Sequence, residues 1–276
     1  MIQDSQTNTI YVSSRLKEYG KTYERIEQAI AETPGLHFRV LEDTNDIWCR
    51  DFMPIQISKD KTIGYRYNPD YLMTKSYLKT ITKNEQYPCT LRLDLTLDGG
   101  NIVKCDDTIV MTEKIFAENR DKSREHILEM LRETFGAEIV ILPWNKFVAE
   151  EVYGHSDGIV HYMGNGTILL NNYGDWAHQY ATDLRKALAD KFKVVELSYK
   201  NNNSKDNWAY INHVRVGNLV LFPQLNIPED KEAYEQIAPF YSECKIVQIP
   251  SRVIVKKGGA LNCVTWNVYQ DEKDII

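Results

Sequence analysis

Apolar residues recur along the chain at helical spacing, then at strand spacing, and the alternation returns several times. Tyr23, Ile26 and Ile30 fall on one face of a helix predicted over 15–31, with Gly20 weakening its first turns and Pro34-Gly35 ending it. A strand over 36–41 follows, then a polar loop, then Asp51 opening a hairpin over 52–57 and 62–67 that turns at Lys59-Asp60-Lys61. The order is helix, strand, loop, hairpin.

The same order is predicted four more times. A weak helix over 71–83 and a strand over 90–95 lead through Asp98-Gly99-Gly100 into strands over 101–104 and 108–112. Ser123 caps a helix bearing Ile127, Leu131 and Phe135; a strand over 138–142 follows, and Gly154-His155-Ser156-Asp157 precedes a hairpin turned at Gly164-Asn165-Gly166. Tyr180, Leu184, Ala187 and Leu188 form a helical stripe before a strand over 193–197, and Tyr210-Ile211-Asn212 precedes a hairpin turned at Gly217-Asn218. Pro228 with Glu229 and Asp230 starts a last helix that Pro239 limits, with a strand over 245–249 behind it. Cys263 holds the fifth hairpin position.

Asp51, Asp98, Asp157, Asn212 and Cys263 therefore stand at equivalent points, about 50 residues apart. Five helix–strand–hairpin units close most simply as a ring of small sheets, a five-bladed, pseudo-symmetric α/β propeller that would carry those five positions to one mouth. The alternative is that helices and strands alternate in any α/β chain and the period is accidental. A chain of 276 residues without a dividing linker is expected to form one domain over 1–276.

Charge and cysteines narrow the function classes. A net charge of -6 gives no electrostatic case for nucleic acid or an anionic membrane and favours a small cationic substrate. No apolar run approaches the roughly 18 residues of a membrane helix and the first residues carry no signal pattern, so the expectation is a cytoplasmic protein. Cys49, Cys89, Cys105, Cys244 and Cys263 are odd in number and scattered, which suits reduced thiols better than disulfides or a zinc knuckle. Nothing implies a cofactor, and a homo-oligomer stays open.

If the five positions converge, they assemble a thiol, an imidazole, carboxylates and an amide, a set suited to a cation. Asp51 and Asp157 could grip a planar guanidinium bidentately. Cys263, behind Gly258-Gly259, could attack its carbon, with His155 protonating the leaving nitrogen and then taking a proton from water. Asp98 is the remaining acid, able to fix the His155 tautomer. Bland readings stand beside these: Cys263 as buried core, Asp98 as a turn residue, Trp48 as core and not a lid on the substrate, and His155 with Asp157 as a metal pair. No H-E-x-x-H or clustered cysteine supports a metal.

At these residues the chain resembles the agmatine deiminase and Porphyromonas-type peptidylarginine deiminase family of the guanidino-group-modifying superfamily. Asn45-Asp46-Ile47-Trp48-Cys49-Arg50-Asp51 looks like its N-D-x-W-x-R-D motif, Asp98-Gly99-Gly100-Asn101 its acid-Gly-Gly motif, Gly154-His155-Ser156-Asp157 its G-H-x-D, and Gly258-Gly259 through Thr265 its cysteine loop. The resemblance implies a pentein-like five-bladed α/β propeller and metal-free hydrolysis of a guanidino group to a ureido group and ammonia. It implies Cys263 as nucleophile, His155 as acid and base, Asp51 and Asp157 as the guanidinium clamp, and Asp98 as the partner of His155. Asp98 stands where agmatine deiminases usually have Glu, and Asn262 where many have His.

Trp48, Asn212, Glu150, Glu151 and Arg66 complete the expected substrate contacts. Glu150 and Glu151 would suit a terminal ammonium and repel a free carboxylate, which favours agmatine over free or peptidyl arginine; Arg66 is the basic group available to a peptide end. A cysteine hydrolase of another kind and a noncatalytic guanidino-binding propeller are the rival classes.

Overall fold

A computed structural model of the chain describes residues 1–74, 78–145, 153–200 and 205–271. From the first residues upward, β1 (Thr9–Ser13) is followed by six residues of 3-10 helix, α1 (Gly20–Ala31) and β2 (His37–Leu41). The helix expected from residue 15 thus begins at Gly20, the poorest helix former in the stretch except at an end. Next come α2 (Cys49–Phe52), β3 (Ile55–Ser58), β4 (Lys61–Arg66) and β5 (Leu91–Thr96).

Among the described residues between β4 and β5, the weak helix expected over 71–83 is not seen. The described residues there make short 3-10 turns at Asp70–Leu72, Leu78–Thr80 and Asn84–Gln86. Pro69 and the β-branched Thr74, Thr80, Ile81 and Thr82 lower helix propensity, and the Asn84 side chain donates to Tyr65 O at 2.9 Å, which ties the end of the segment to β4.

The chain continues through β6 (Val103–Cys105), β7 (Thr108–Thr112), α3 (Lys114–Glu118), α4 (Arg124–Phe135) and β8 (Glu138–Leu142). Ser123 caps α4, its hydroxyl accepting from His126 N at 3.2 Å, and Gly136 ends it in the left-handed region. Then follow β9 (Val160–Gly164), β10 (Thr167–Leu170), α5 (His178–Leu188) and β11 (Lys193–Glu196). The last elements are β12 (Val214–Val216), β13 (Leu219–Gln224), α6 (Glu229–Ile237), β14 (Lys245–Pro250), α7 (Arg252–Val255) and β15 (Thr265–Val268).

Among the described residues the strands form five sheets of three, each an antiparallel pair whose inner strand also takes a parallel partner. The inner strands β7 and β13 are almost wholly buried, which is why Thr-Ile-Val-Met-Thr and Leu-Val-Leu-Phe read as continuous apolar runs without alternation. In the sheets of β6, β9 and β12 the order along the chain is hairpin, helix, parallel strand, and in the sheet of β3 short 3-10 turns stand among the described residues where the helix would be. The repeat read from the sequence is this unit started one step late, so each predicted helix and strand belongs to the sheet of the preceding hairpin. In the fifth sheet the antiparallel pair joins the two ends of the chain: β15 pairs with β1, Thr9 opposite Val268 and Val12 opposite Thr265, and β1 takes β2 as its parallel partner. No strand was expected over Thr9–Ser13, and the partner of Cys263's strand is this one.

Two compact units divide the chain: Met1 with Asp51–Ser198, and Ile2–Arg50 with Tyr199–Ile276. The first holds the sheets of β3 to β11, with α5 burying Tyr180, Ala181, Leu184 and Leu188 against Val110, Leu142, Ile168 and Leu170. The second holds the sheets of β12 to β14 and of β15, β1 and β2, with Ile26, Ala29 and Ile30 of α1 fully buried. Among the described residues no helix is long and apolar enough to cross a membrane.

Candidate active site

The turns that lead into the antiparallel pairs carry the side chains expected to be functional. In the first unit, Asp51 lies in α2 before β3, Asp98 before a 3-10 turn leading to β6, and Asp157 inside a 3-10 turn leading to β9. The backbone around Asp51 is pinned by Tyr65, whose hydroxyl donates to Asp51 O at 2.6 Å and Met53 O at 3.0 Å. A short turn held in this way commits little freedom that folding has not already removed.

These turns bring three carboxylates and an imidazole together. Asp98 Oδ2 lies 2.9 Å from Nε2 of His155, and Asp51 Oδ1 lies 3.5 Å from its Nδ1. Asp51 Oδ1 also accepts from Gly100 N at 3.0 Å. Gly100 is there for space: a Cβ would come within 2.6 Å of Asp51 Oδ1 and 2.8 Å of His155 Nδ1. Asp51, Asp98 and Asp157 are all buried, and His155 keeps 10 % of its side chain exposed, enough to meet a ligand. Tyr71 and Tyr153 set their rings against the imidazole at centroid distances of 5.8 and 6.2 Å.

The electrostatics follow from this crowding. Burial pushes the Asp51 carboxyl up, to about 7; the charges of Asp98 and Asp157 add to that, and His155 pulls the other way. For His155 burial opposes the cation, but Asp51, Asp98 and Asp157 outweigh it and raise the imidazole to about 9. Burial opposes ionisation of Asp98 too, yet the Lys114 ammonium and His155 hold its carboxyl below the usual range. The surrounding carboxylates thus favour the protonated form of His155, a form able to donate a proton.

Lys114 is a member of this cluster that the sequence reading missed. Its side chain is fully buried, with Nζ 2.9 Å from Asp98 Oδ2, 3.3 Å from Asp70 Oδ1 and paired with Glu118. In the sequence, Lys114 and Glu118 look like an ordinary solvated i,i+4 pair; the available signal was their place directly after the buried strand β7, among Ile115 and Phe116.

In the second unit, Cys263 sits in a turn before β15 and is partly exposed. Asn212 organises it: Oδ1 accepts from Asn262 N at 3.0 Å, from Cys263 N at 3.3 Å and from the thiol at 3.4 Å. Arg50 holds the same turn from another side, donating from its backbone N to Cys263 O at 3.2 Å and from Nε to Asn262 O at 3.3 Å, with Nη2 2.6 Å from Asn267 Oδ1. Asn212 is thus seen as a support of the cysteine turn. Trp48 is half-buried, its backbone N donating to Asp46 Oδ1 at 2.9 Å, and its ring covers Gly259, where a Cβ would come within 2.2 Å of Trp48 Cζ3. Gly258 takes φ +100°, so the two glycines answer separate demands of conformation and close approach.

Arg66 is exposed on β4 and pairs with Asp94 of β5 at 2.5 Å. Glu150 and Glu151 lie outside the described residues. Among the described residues no group of three or more His, Cys, Asp or Glu side chains is placed to hold a metal ion.

A sequence profile of the Porphyromonas-type peptidyl-arginine deiminase family matches residues 1–268. A Listeria monocytogenes relative provisionally named agmatine deiminase 2 is 25% identical over 83% of this chain and 76% of its own. A cysteine-to-serine variant of the C. jejuni agmatine deiminase, solved with substrate bound, superposes with a TM-score of 0.77 at 17% identity, over 98% of this chain and 96% of the other. The Pseudomonas aeruginosa enzyme DDAH, solved as a cysteine-to-serine mutant with citrulline, gives 0.62 at 13% identity over 95% and 99%. The fold is shared with both: the five sheets are those of a five-bladed α/β propeller, as the repeat predicted.

Proposed function

Since the chain belongs to the Porphyromonas-type peptidyl-arginine deiminase family, we propose that it converts agmatine and water to N-carbamoylputrescine and ammonia through an intermediate bound to Cys263. Membership carries the reaction class, hydrolysis at a guanidino carbon–nitrogen bond, and makes the chain a hydrolase. The observation that carries the mechanism is the buried contact of His155 with Asp98 at 2.9 Å beside Asp51, an imidazole held among carboxyl groups.

In this reading Asp51 and Asp157 bind the substrate's N–H groups and replace the water lost on burial. The Cys263 thiolate adds to the guanidinium carbon, and His155 gives its proton to the departing nitrogen, so the carbon–nitrogen bond breaks and ammonia leaves an S-linked thiouronium. His155, now neutral, takes a proton from water; the hydroxide adds to the same carbon, its remaining proton passes to solvent or to the departed ammonia, and the carbon–sulfur bond breaks, releasing the ureido product and the thiolate. Asp98 keeps the imidazole in the orientation both halves need. The cysteine-to-serine replacements in the two solved relatives, one holding substrate and the other citrulline, support the assignment of the thiol.

Agmatine is favoured because the relatives bear that name and because Glu150 and Glu151 precede His155 in the sequence, where a carboxylate would receive a terminal ammonium. Peptidyl arginine is the second reading, favoured by the family's own description. A ureido-product assay with agmatine, arginine, N-blocked arginine and an arginyl peptide side by side decides between them. The expected result is turnover of agmatine above the others, lost in Cys263→Ala with an unchanged circular dichroism spectrum and insensitive to EDTA. Preference for the peptide sinks the substrate; an active Cys263→Ala or an EDTA-sensitive enzyme sinks the mechanism.

A further inference from the structure

A buried lysine is expensive unless its charge is matched, so a fully buried Lys114 calls for a task. Its Nζ and the Nε2 of His155 meet the same oxygen, Asp98 Oδ2, each at 2.9 Å. Lys114 is fixed in turn by Glu118, one turn along α3, by Asp70 at 3.3 Å, and by the Tyr71 ring, whose centroid lies 5.5 Å from Nζ. Asp98 itself is wholly buried. Left with the imidazole alone among Asp51 and Asp157, an Asp98 carboxyl in such a place would tend to take up a proton, and a carboxylic acid no longer anchors an imidazolium.

We propose that Lys114 is a positioning residue: its ammonium keeps the Asp98 carboxylate ionised and aimed at Nε2 of His155, so that the imidazole is held as a proton donor. The groups around Asp98 are Lys114 and Glu118 on α3, His155 and Asp157 before β9, Asp51 on α2, and Asp70 with Tyr71 after β4. Four of these are acids, and Lys114 is the cation among them that does not take part in proton transfer. The electrostatics agree in direction: Asp98 is held below the ordinary carboxylate range with the Lys114 charge the largest influence opposing burial, while Glu118 is driven up to about 7 by burial and by Asp98. Burial and crowding thus weigh against the charge on Glu118, while the shared contacts with Lys114 and His155 favour it on Asp98.

This inference rests on the deiminase reading for its catalytic consequence, and its test separates the two. The variant is Lys114→Met with Glu118→Gln, because Lys114→Met alone would strand a second buried carboxylate. Carbon-13 NMR of the Asp98 carboxyl is the direct readout. In the unaltered chain Asp98 should show no titration across roughly pH 5 to 9, and in the double variant its midpoint should move upward. A titration in that window in the unaltered chain overturns the proposal whether or not the variant folds, and so does an unmoved midpoint in a folded variant.

Kinetics give the second readout. The double variant should lose about tenfold or more in kcat with little change in KM, the size expected when a general acid is mispositioned. Made on an Asp98→Asn background, the same change should cost nothing further, since Lys114 acts through Asp98. An equal loss in both backgrounds overturns the positioning role. Absence of turnover by the unaltered chain on any guanidino compound would defeat the deiminase reading and leave the Asp98 titration to decide this one.

Discussion

At the scale of single residues the site is governed by two quantities, the room beside His155 and the charge around it. Gly100 leaves the room. Gly100→Ala places a methyl 2.6 Å from Asp51 Oδ1 and 2.8 Å from His155 Nδ1, so one of the two side chains must move. Displacing a reacting group by about 1 Å can cost on the order of 100-fold, and we expect a loss of that order in kcat with an unchanged circular dichroism spectrum; near-normal turnover would show that the Asp51 to His155 spacing is not critical. The charge has a consequence for stability. His155 is raised to about 9 in the folded chain and returns to about 6.5 when unfolded, so between those values the folded state holds the extra proton. Its contribution is complete below about pH 6.5 and is lost as the pH rises through about 9. Urea unfolding midpoints should therefore fall over that interval and fall less in His155→Gln; an equal fall in both would assign the dependence to other groups.

At the scale of elements, what could be read from the sequence depended on whether the cause of an element lies within it. The cap of α4 is local. Ser123→Ala removes the acceptor for His126 N and should cost about 1 kcal/mol, measured as a lower urea midpoint with unchanged turnover; a cost near zero would mean that solvent replaces the cap. The turn at Gly164-Asn165-Gly166 was legible for the same reason, since its left-handed residues are written in place. β1 was not, although Thr-Ile-Tyr-Val is a good strand sequence, because its partners β15 and β2 supply no hairpin turn next to it and one of them lies at the other end of the chain. The segment after β4 failed in the opposite direction: its pattern suggested a weak helix, whereas its described residues, rich in β-branched side chains, make short 3-10 turns and are tied to β4 by the Asn84 amide. In the first unit, the clustering of Asp51, Asp98 and His155 was legible because motif and spacing mark them. Lys114 was not, because burial, which gives it meaning, is a property of the packed chain.

At the scale of the whole molecule, the period near 50 residues was visible as a recurrence of helix, strand and polar turn, but its phase was not, since each hairpin's parallel partner comes only after a long intervening segment. The fifth sheet makes the phase testable. There β1 is the inner strand, hydrogen-bonded on one edge to β15 and on the other to β2, with Ile10 and Val12 fully buried. Without it β2 and β15 would share no ladder, and each would present an unpaired edge. Deleting residues 1–13 should therefore abolish cooperative unfolding of the second unit and leave the chain prone to aggregate. A peptide of residues 1–13, added in excess, should restore part of the transition by occupying the gap as a strand, in the manner of β-augmentation. The measurement is thermal unfolding followed by circular dichroism with and without the peptide. If the shortened chain unfolds with the same midpoint and slope as the intact one, β1 is dispensable and the pairing of the two ends does not close the fold.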